Sequence, residues 1–88
     1  MEYVLKNRLK ELRARDGLNQ TELAKLAEVS RQTISLIERG EYTPSVVIAM
    51  RIAQIFNENV ENVFQLVEVE EWNRGNKFQR NKDGWDIQ

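Results

Sequence analysis

Between residues 20 and 40 the apolar positions recur at helical spacing in two short runs, and the period breaks at Glu28-Val29-Ser30. In the second run Ile34 and Ile37, at i and i+3, face the same side. The apolar face of the first run consists of Leu23, Ala24, Leu26 and Ala27. The pattern predicts two short helices joined by a tight turn.

The ends of these two helices carry capping residues. Asn19 can accept a free backbone N–H, and Glu22 three residues later completes a capping box. Ser30 is placed to cap the second helix in the same way. Gly40 can end that helix because glycine adopts the left-handed conformation without steric cost. The second helix is called the reader helix below.

The outward side of the reader helix indicates a function. Its outward residues are Arg31, Gln32, Ser35 and Leu36. Arginine and glutamine can make paired hydrogen bonds to guanine and adenine in the major groove. A helix that presents such groups near its N-terminus, packed across a preceding helix, is typical of a helix-turn-helix DNA reader.

The segments on either side of this pair also predict helices. Upstream, leucines at i, i+4 and i+7 predict an amphipathic helix over residues 4–14. Those leucines are Leu5, Leu9 and Leu12, and the outer face carries Lys6, Arg8, Lys10 and Arg15 as solvated charges. Downstream, Ser45 caps a helix over residues 46–56, and Asn59 caps a last short helix over residues 60–64. The core stripe of the fourth helix is Ala49, Ile52, Ala53 and Phe56, and Asn57 takes the left-handed position that ends it.

Beyond Phe64 the pattern changes to that of a β-strand, predicted over residues 66–72. A lone strand on a helical domain has unpaired edges, so it either pairs with its copy across a two-fold axis or folds back on its own tail. A small β-meander over 66–72, 77–80 and 85–87 would gather three aromatic residues into a dimer interface. These are Trp72, Phe78 and Trp85. A partly disordered extension is the alternative.

The amino-acid composition narrows the classes of protein to which this chain can belong. Eighty-eight residues allow one domain, and the absence of Cys and His excludes disulfides, thiol chemistry and the usual zinc clusters. The expected compartment is therefore the cytoplasm, in association with the nucleoid. The chain lacks an apolar run near the roughly 20 residues that span a bilayer, and its start has no signal-peptide layout.

The charge distribution favours the first half of the chain as the side that faces DNA. Net charge is −1, but residues 1–40 hold eight Lys and Arg against six Asp and Glu, whereas residues 41–88 hold five against eight. The half with the reader helix is therefore the more positive one, as a phosphate-facing surface requires. Because the excess is small, we expect specificity to come from local contacts.

Residues 5–66 closely resemble the DNA-binding domain of the Cro/C1-type (Xre) family. The matching residues are Gln20-x-Glu22-Leu23-Ala24, Val29-Ser30-x-x-Thr33-Ile34-Ser35, Ile37-Glu38-x-Gly40, Pro44-Ser45, Ile52-Ala53 and Val63-Phe64. The resemblance implies a mostly α fold, a five-helix lambda-repressor-like domain over 1–66, and it favours a dimerising strand after that domain. With the pattern of the tail, residues 67–88 are expected to form a C-terminal β extension that dimerises. Glu58 departs from the family, where an apolar residue is common.

The resemblance also implies residue roles. Arg13 would pair with Glu38, tying the first helix to the reader helix. Base contacts would come from Arg31, Gln32, Ser35 and Leu36, and contacts to the DNA backbone from Gln20, Thr21, Thr33, Arg39, Tyr42 and Thr43. Leu36 is equally well explained as a surface leucine, and Tyr42 as an aromatic packed over the fourth helix. The predicted strand and meander, which continue beyond the residues that resemble the family, would dimerise through Leu66, Val67, Val69, Trp72, Phe78 and Trp85.

These observations favour a transcriptional regulator, most simply a repressor, that binds a pseudo-palindromic operator in double-stranded DNA as a homodimer. The alternative is an antitoxin-like or other protein-interaction module that uses the aromatic tail. An enzyme is not expected, since the dense acidic cluster at Glu68, Glu70 and Glu71 has no acid/base or metal spacing. We expect no metal, cofactor, membrane or small-molecule partner.

Overall fold

In a computed structural model, residues 2–69 are described, and they form five helices and two strands. In chain order the elements are β1 (Tyr3–Asn7), α1 (Leu9–Asp16), α2 (Gln20–Ala27), α3 (Arg31–Glu38), α4 (Val46–Ile55), α5 (Val60–Val63) and β2 (Phe64–Glu68). The predicted fold class, five helices with a C-terminal strand, is confirmed. None of the helices within these residues is long and apolar enough to cross a membrane.

The predicted boundaries of α2 and α3 are confirmed by their capping hydrogen bonds. The Glu22 backbone N–H donates to Asn19 Oδ1 at 2.7 Å, and the Asn19 N–H donates to Glu22 Oε1 at 2.9 Å, which is a complete capping box. The Thr33 N–H donates to Ser30 Oγ at 3.0 Å. Gly40 takes the left-handed conformation (φ 75°) just after α3.

The turn between α2 and α3 places a non-glycine residue in the left-handed region. Glu28 has φ 61° and ψ 42° and closes α2, and the Val29 N–H donates back to the Ala24 carbonyl at 3.0 Å. This geometry ends α2 and redirects the chain into α3 within two residues. Most residues other than glycine, asparagine and aspartate adopt it at an energetic cost.

A single core joins all five helices. It consists of Leu9, Leu12, Leu23, Ala24, Ala27, Ile34, Ile37, Ile52, Ala53, Phe56, Val63 and Phe64. Leu26, predicted to face this core, is instead 53% exposed. Successive residues of an α-helix are rotated by about 100°, so Leu26 points away from the direction that Leu23 and Ala27 share. Ala49 is only half-buried.

The N-terminal segment corrects one prediction. Residues 4–7 belong to a strand and not to the first helix, which begins at Leu9. β1 pairs antiparallel with β2, with Tyr3 opposite Glu68 and Asn7 opposite Phe64. The leucine spacing is compatible with a helix, but hydrogen bonding to a distant strand outweighs that local preference.

The C-terminal strand is present but begins and ends earlier than predicted. β2 covers Phe64–Glu68 instead of 66–72, and α5 ends at Val63. Within residues 2–69 the strand pairs with β1, a partner that was not predicted, and the tail on which it could fold back lies outside these residues. β2 also lies across the predicted domain boundary at residue 66. Asn59 stands at the start of α5, but its side chain makes no capping hydrogen bond. The other meander strands, Trp72, Phe78 and Trp85 lie outside the described residues.

Candidate nucleic-acid interface

The reader helix α3 is fixed on one side and accessible on the other. Ile34 and Ile37 are buried in the core, at 0% and 2% exposure, and they hold α3 against α2. Arg31 and Gln32 are exposed in its first turn, and Ser35 and Leu36 are half-buried beside them. The four predicted base-contacting side chains are thus carried by the first six residues of one helix.

A buried ion pair joins α1 to the end of α3. Arg13 donates from Nε to Glu38 Oε2 at 2.6 Å and from a second nitrogen to Glu38 Oε1 at 3.1 Å. The two side chains are only 15% and 8% exposed. Arg13 also donates to the Leu18 carbonyl at 3.2 Å. The pair expected from the family resemblance is present, and its two-point geometry fixes the orientation of both groups.

Gln20 continues this network to the start of α3. Its Nε2 donates to Glu38 Oε1 at 3.0 Å, and its Oε1 accepts from Arg31 at 3.2 Å. A chain of hydrogen bonds therefore runs from Arg13 through Glu38 and Gln20 to the Arg31 guanidinium. A guanidinium has five N–H donors, so one bond orients Arg31 and leaves donors for a ligand.

The residues predicted to contact the DNA backbone have varied environments. Thr21, Arg39, Tyr42 and Thr43 are exposed, whereas Gln20 and Thr33 are half-buried. The Thr33 hydroxyl lies 2.9 Å from the Ser30 hydroxyl, and Arg39 lies 3.5 Å from Glu41 in an exposed ion pair. Tyr42 lines a cavity of about 240 Å³ together with Tyr3 and Phe64, so it faces the sheet.

Asn7 has a role that was not predicted. Its Oδ1 accepts from the Leu9 N–H at 3.1 Å, and its Nδ2 donates to the Ile37 carbonyl at 3.0 Å. An asparagine just before a helix is a capping signal, but the leucine spacing placed Asn7 inside the helix. Its contact with α3 joins residues 30 positions apart, and local sequence gives no signal for it.

Arg15 and Glu58 also have a role that was not predicted. Arg15, predicted to be a solvated charge, donates to Glu58 at 2.6 Å and to the Phe56 carbonyl at 2.7 Å. A hydrogen bond from Arg15 lowers the pKa of the neighbouring Asp16 below its usual range. Hydrogen bonds to Asp16 and Glu58 raise the pKa of Arg15 itself. Glu58 therefore replaces the apolar residue common in the family with an ion pair across the domain.

The predicted dimerisation residues lie partly within the described structure. Leu66 is 71% exposed, and Val67 and Val69 are half-buried. On β1, Tyr3 is 54% exposed and Val4 37%. The two-stranded sheet therefore presents apolar side chains to solvent. Among residues 2–69, acidic side chains do not form a group of three or more that could hold a metal ion.

Comparison with known sequences finds relatives that are described as helix-turn-helix proteins. A family model described as helix-turn-helix matches residues 9–63. A Bacillus subtilis protein named HTH-type transcriptional regulator YgzD is 45% identical over 64 residues, which cover 73% of this chain and 97% of that one. An Archaeoglobus fulgidus HTH-type transcriptional regulator is 41% identical over 70 residues, with 80% and 99% covered.

Comparison with solved structures gives proteins of the same kind. The restriction-modification controller protein C.AhdI from Aeromonas hydrophila is similar with a TM-score of 0.59 and 33% identity, covering 62% of this chain and 83% of that one. The clp gene regulator ClgR from Corynebacterium glutamicum has a TM-score of 0.60 and 25% identity, with 81% and 70% covered. The residues matched by the family model run from α1 to α5.

Proposed function

The chain belongs to the helix-turn-helix family of transcriptional regulators, and from that membership we propose that it represses transcription by binding a specific operator as a homodimer. The observation that carries the proposal is the exposure of Arg31 and Gln32. Both are exposed in the first turn of a helix whose opposite side is buried, and Arg31 is oriented by Gln20. The proposed role is DNA binding and not catalysis. The proposed location is the cytoplasm, where the protein would be bound to DNA.

In this proposal α3 lies in the major groove and reads bases directly. Arg31 would donate two hydrogen bonds to guanine, and Gln32 would bond the edge of adenine. Ser35 would donate to a neighbouring base or phosphate, and the methyl groups of Leu36 would contact a thymine methyl. Because Gln20 already orients the Arg31 guanidinium, Arg31 loses little side-chain freedom on binding.

Contacts to the DNA backbone would set the position of α3 along the groove. The residues proposed for these contacts are Gln20, Thr21, Thr33, Arg39, Tyr42 and Thr43. The exposed members flank α3 on both sides, at the start of α2 and in the segment that follows α3. Such contacts supply affinity and orientation without sequence information. Arg39 would exchange its exposed pairing with Glu41 for a phosphate.

Dimerisation would place two reader helices in successive major grooves, about 34 Å apart, on a pseudo-palindromic site. The proposed interface is built on the β1–β2 sheet, whose exposed apolar residues Tyr3 and Leu66 support it. Burial of such residues is a common driving force for association. Residues 67–88 would extend that interface.

In vitro selection of bound duplexes from a random pool tests this function. We expect an enriched consensus with two-fold symmetry and half-sites about one helical turn apart. Enrichment of a single asymmetric half-site would contradict the homodimer. Recovery of duplexes without any shared sequence would contradict sequence-specific binding altogether.

A second candidate function is a protein-interaction module of the antitoxin type. It is favoured by three apolar side chains on one side of α4, where Val46 is 74%, Val47 63% and Met50 53% exposed. Exposed apolar groups that lie together indicate a protein contact. Co-purification of a second polypeptide at fixed stoichiometry, without selection of a DNA consensus, would favour this candidate over the regulator.

A further inference from the structure

Asn7 connects three elements through a single side chain. It ends β1, its Oδ1 accepts from the Leu9 N–H at the start of α1, and its Nδ2 donates to the Ile37 carbonyl in the last turn of α3. The next residue, Arg8, donates its backbone N–H to the Val63 carbonyl at the end of α5. The junction of β1 and α1 is thus tied to the C-terminal end of the reader helix.

The carbonyl that Asn7 contacts lies in the last turn of α3. The last carbonyls of an α-helix lack intrahelical partners. Ile37 O already accepts from the Gly40 N–H at 3.0 Å, and Asn7 supplies a second donor. Because a carbonyl oxygen has two lone pairs, both bonds can form together. Ile37 O therefore has a hydrogen-bond donor without Asn7. What the Asn7 bond adds is a link that orients α3 relative to β1.

Packing alone supports this side of α3 incompletely. Residues 4–7 of β1 and residues 38–40 line an open cleft of about 450 Å³ between the strand and the end of the helix. The Asn7 amide spans from the strand to α3 beside this cleft. Arg13 and Gln20 hold the neighbouring Glu38, which also lines this cleft. The last turn of α3 is therefore fixed by polar contacts from β1, α1 and α2.

We propose that Asn7 is a positioning residue for base reading, which sets the tilt of α3 by fixing the Ile37 carbonyl to the β1–α1 junction. The inference rests on the proposed function, because it assumes that α3 reads bases. Base-contacting side chains tolerate only small displacements of their helix, so groups behind them control specificity. Loss of the Asn7 donor should therefore weaken binding to the selected duplex more than binding to random duplex.

The substitution Asn7→Asp separates the two hydrogen bonds of this residue. A carboxylate keeps the acceptor for the Leu9 N–H and suits a helix N-terminus, but it lacks the Nδ2 donor to Ile37 O. Asn59→Asp is the matched control, since it makes the same change in charge at a residue whose side chain makes no capping hydrogen bond. Both variants are titrated with the duplex selected by the wild-type protein and with a random duplex, after thermal melting shows that each is folded.

We expect Asn7→Asp to lose about tenfold in affinity for the selected duplex relative to Asn59→Asp, the size of one lost orienting hydrogen bond. On random duplex the two variants should agree within about twofold, since backbone contacts dominate there. Equal affinities of the two variants for the selected duplex overturn the proposal, as does an equal loss on both duplexes. If the wild-type protein selects no consensus, the proposed function itself fails.

A second measurement needs no variant and no DNA. In isotopically labelled wild-type protein, a scalar coupling across the hydrogen bond should connect Asn7 Nδ2 with the Ile37 carbonyl carbon. Its presence supports the geometry even if Asn7→Asp does not fold. Its absence in the folded protein overturns the proposal, because the bond that would position α3 is then not formed.

Discussion

Arg31 and Gln32 are adjacent and exposed, but only Arg31 is oriented before any ligand arrives. Gln20 Oε1 accepts a hydrogen bond from the Arg31 guanidinium, whereas the Gln32 side chain has no hydrogen-bond partner among residues 2–69. Preorganisation of this kind reduces the entropy lost on binding. The contribution of Arg31 to recognition should therefore depend on Gln20, and that of Gln32 should not.

Replacement of Arg31 or Gln32 by Ala should weaken binding to the selected operator by about 1–3 kcal/mol and relax base preference at the contacted position. Fluorescence-anisotropy titrations with operator and random duplexes measure both effects. Lys10→Ala is the control for the loss of a positive charge, as Lys10 is exposed on α1. Losses of equal size on operator and random DNA would mean that these side chains do not read bases.

Glu28 is a residue whose backbone conformation disagrees with its type. At φ 61° it occupies the region that glycine adopts freely, and its contact with Arg51 is 4.0 Å long at an exposed position. Glu28→Gly should raise the free energy of unfolding by up to about 1 kcal/mol. The reason is that the backbone strain of a non-glycine residue at this φ exceeds the stabilisation that an exposed ion pair supplies. Urea denaturation measures it. Asn57→Gly (φ 56°) is the control, with a smaller gain expected because asparagine tolerates this region.

At the scale of elements, the position of α3 depends on polar contacts made at its ends. Ile34 and Ile37 bury one side, but this helix has only eight residues, and two apolar anchors leave its tilt free to vary. Arg13, Gln20 and Asn7 approach its last turn from α1, α2 and β1. The reader helix is therefore part of a rigid unit with three of its neighbours.

The Arg13–Glu38 pair tests this view. Replacement of Glu38 by Leu should cost about 3–5 kcal/mol, because it leaves the Arg13 charge nearly buried without its partner. The double replacement Arg13→Met with Glu38→Leu should recover most of that stability, since well-packed apolar side chains can substitute for a buried ion pair. Urea denaturation of Glu38→Leu, Arg13→Met and the double variant measures the three losses. If the loss of the double variant equals the sum of the two single losses, the pair does not act as a unit.

At the scale of the whole molecule, the two-stranded sheet joins the two ends of the described chain. β1 lies at residues 3–7 and β2 at residues 64–68, and their pairing closes the domain around α1 to α5. Through Asn7 the sheet contacts the last turn of the reader helix, whereas Arg31 and Gln32 are exposed in its first turn. We therefore expect association through the sheet to leave Arg31 and Gln32 accessible to DNA.

Replacement of Leu66 by Lys should convert the proposed homodimer to a monomer while it leaves the domain folded. Leu66 is 71% exposed, so the monomer loses little burial, whereas a charge within an apolar interface is unfavourable. Sedimentation velocity measures the change in mass. Leu26→Lys is the matched control, because Leu26 is an exposed leucine (53%) on α2. An unchanged mass for the Leu66 variant would place the interface elsewhere.

Local sequence determined most of α2, α3 and α4. Their caps at Asn19, Ser30 and Ser45 are hydrogen bonds within three residues, so the information for them lies within the segment itself. The Arg13–Glu38 pair was also predicted, but through family resemblance, because spacing alone does not bring residues 25 positions apart into contact.

Helical periodicity and capping act over a few residues, so they were sufficient to predict a helix-turn-helix domain with Arg31 and Gln32 on the outward side of its reader helix. Three features became evident only in the folded protein: Tyr3–Asn7 is a strand, it pairs with Phe64–Glu68, and Asn7 supports the end of α3. Each of these depends on hydrogen bonds between segments that are distant in the chain. Local preference at residues 4–7 favoured a helix, and only the presence of β2 as a partner made the strand the more stable choice.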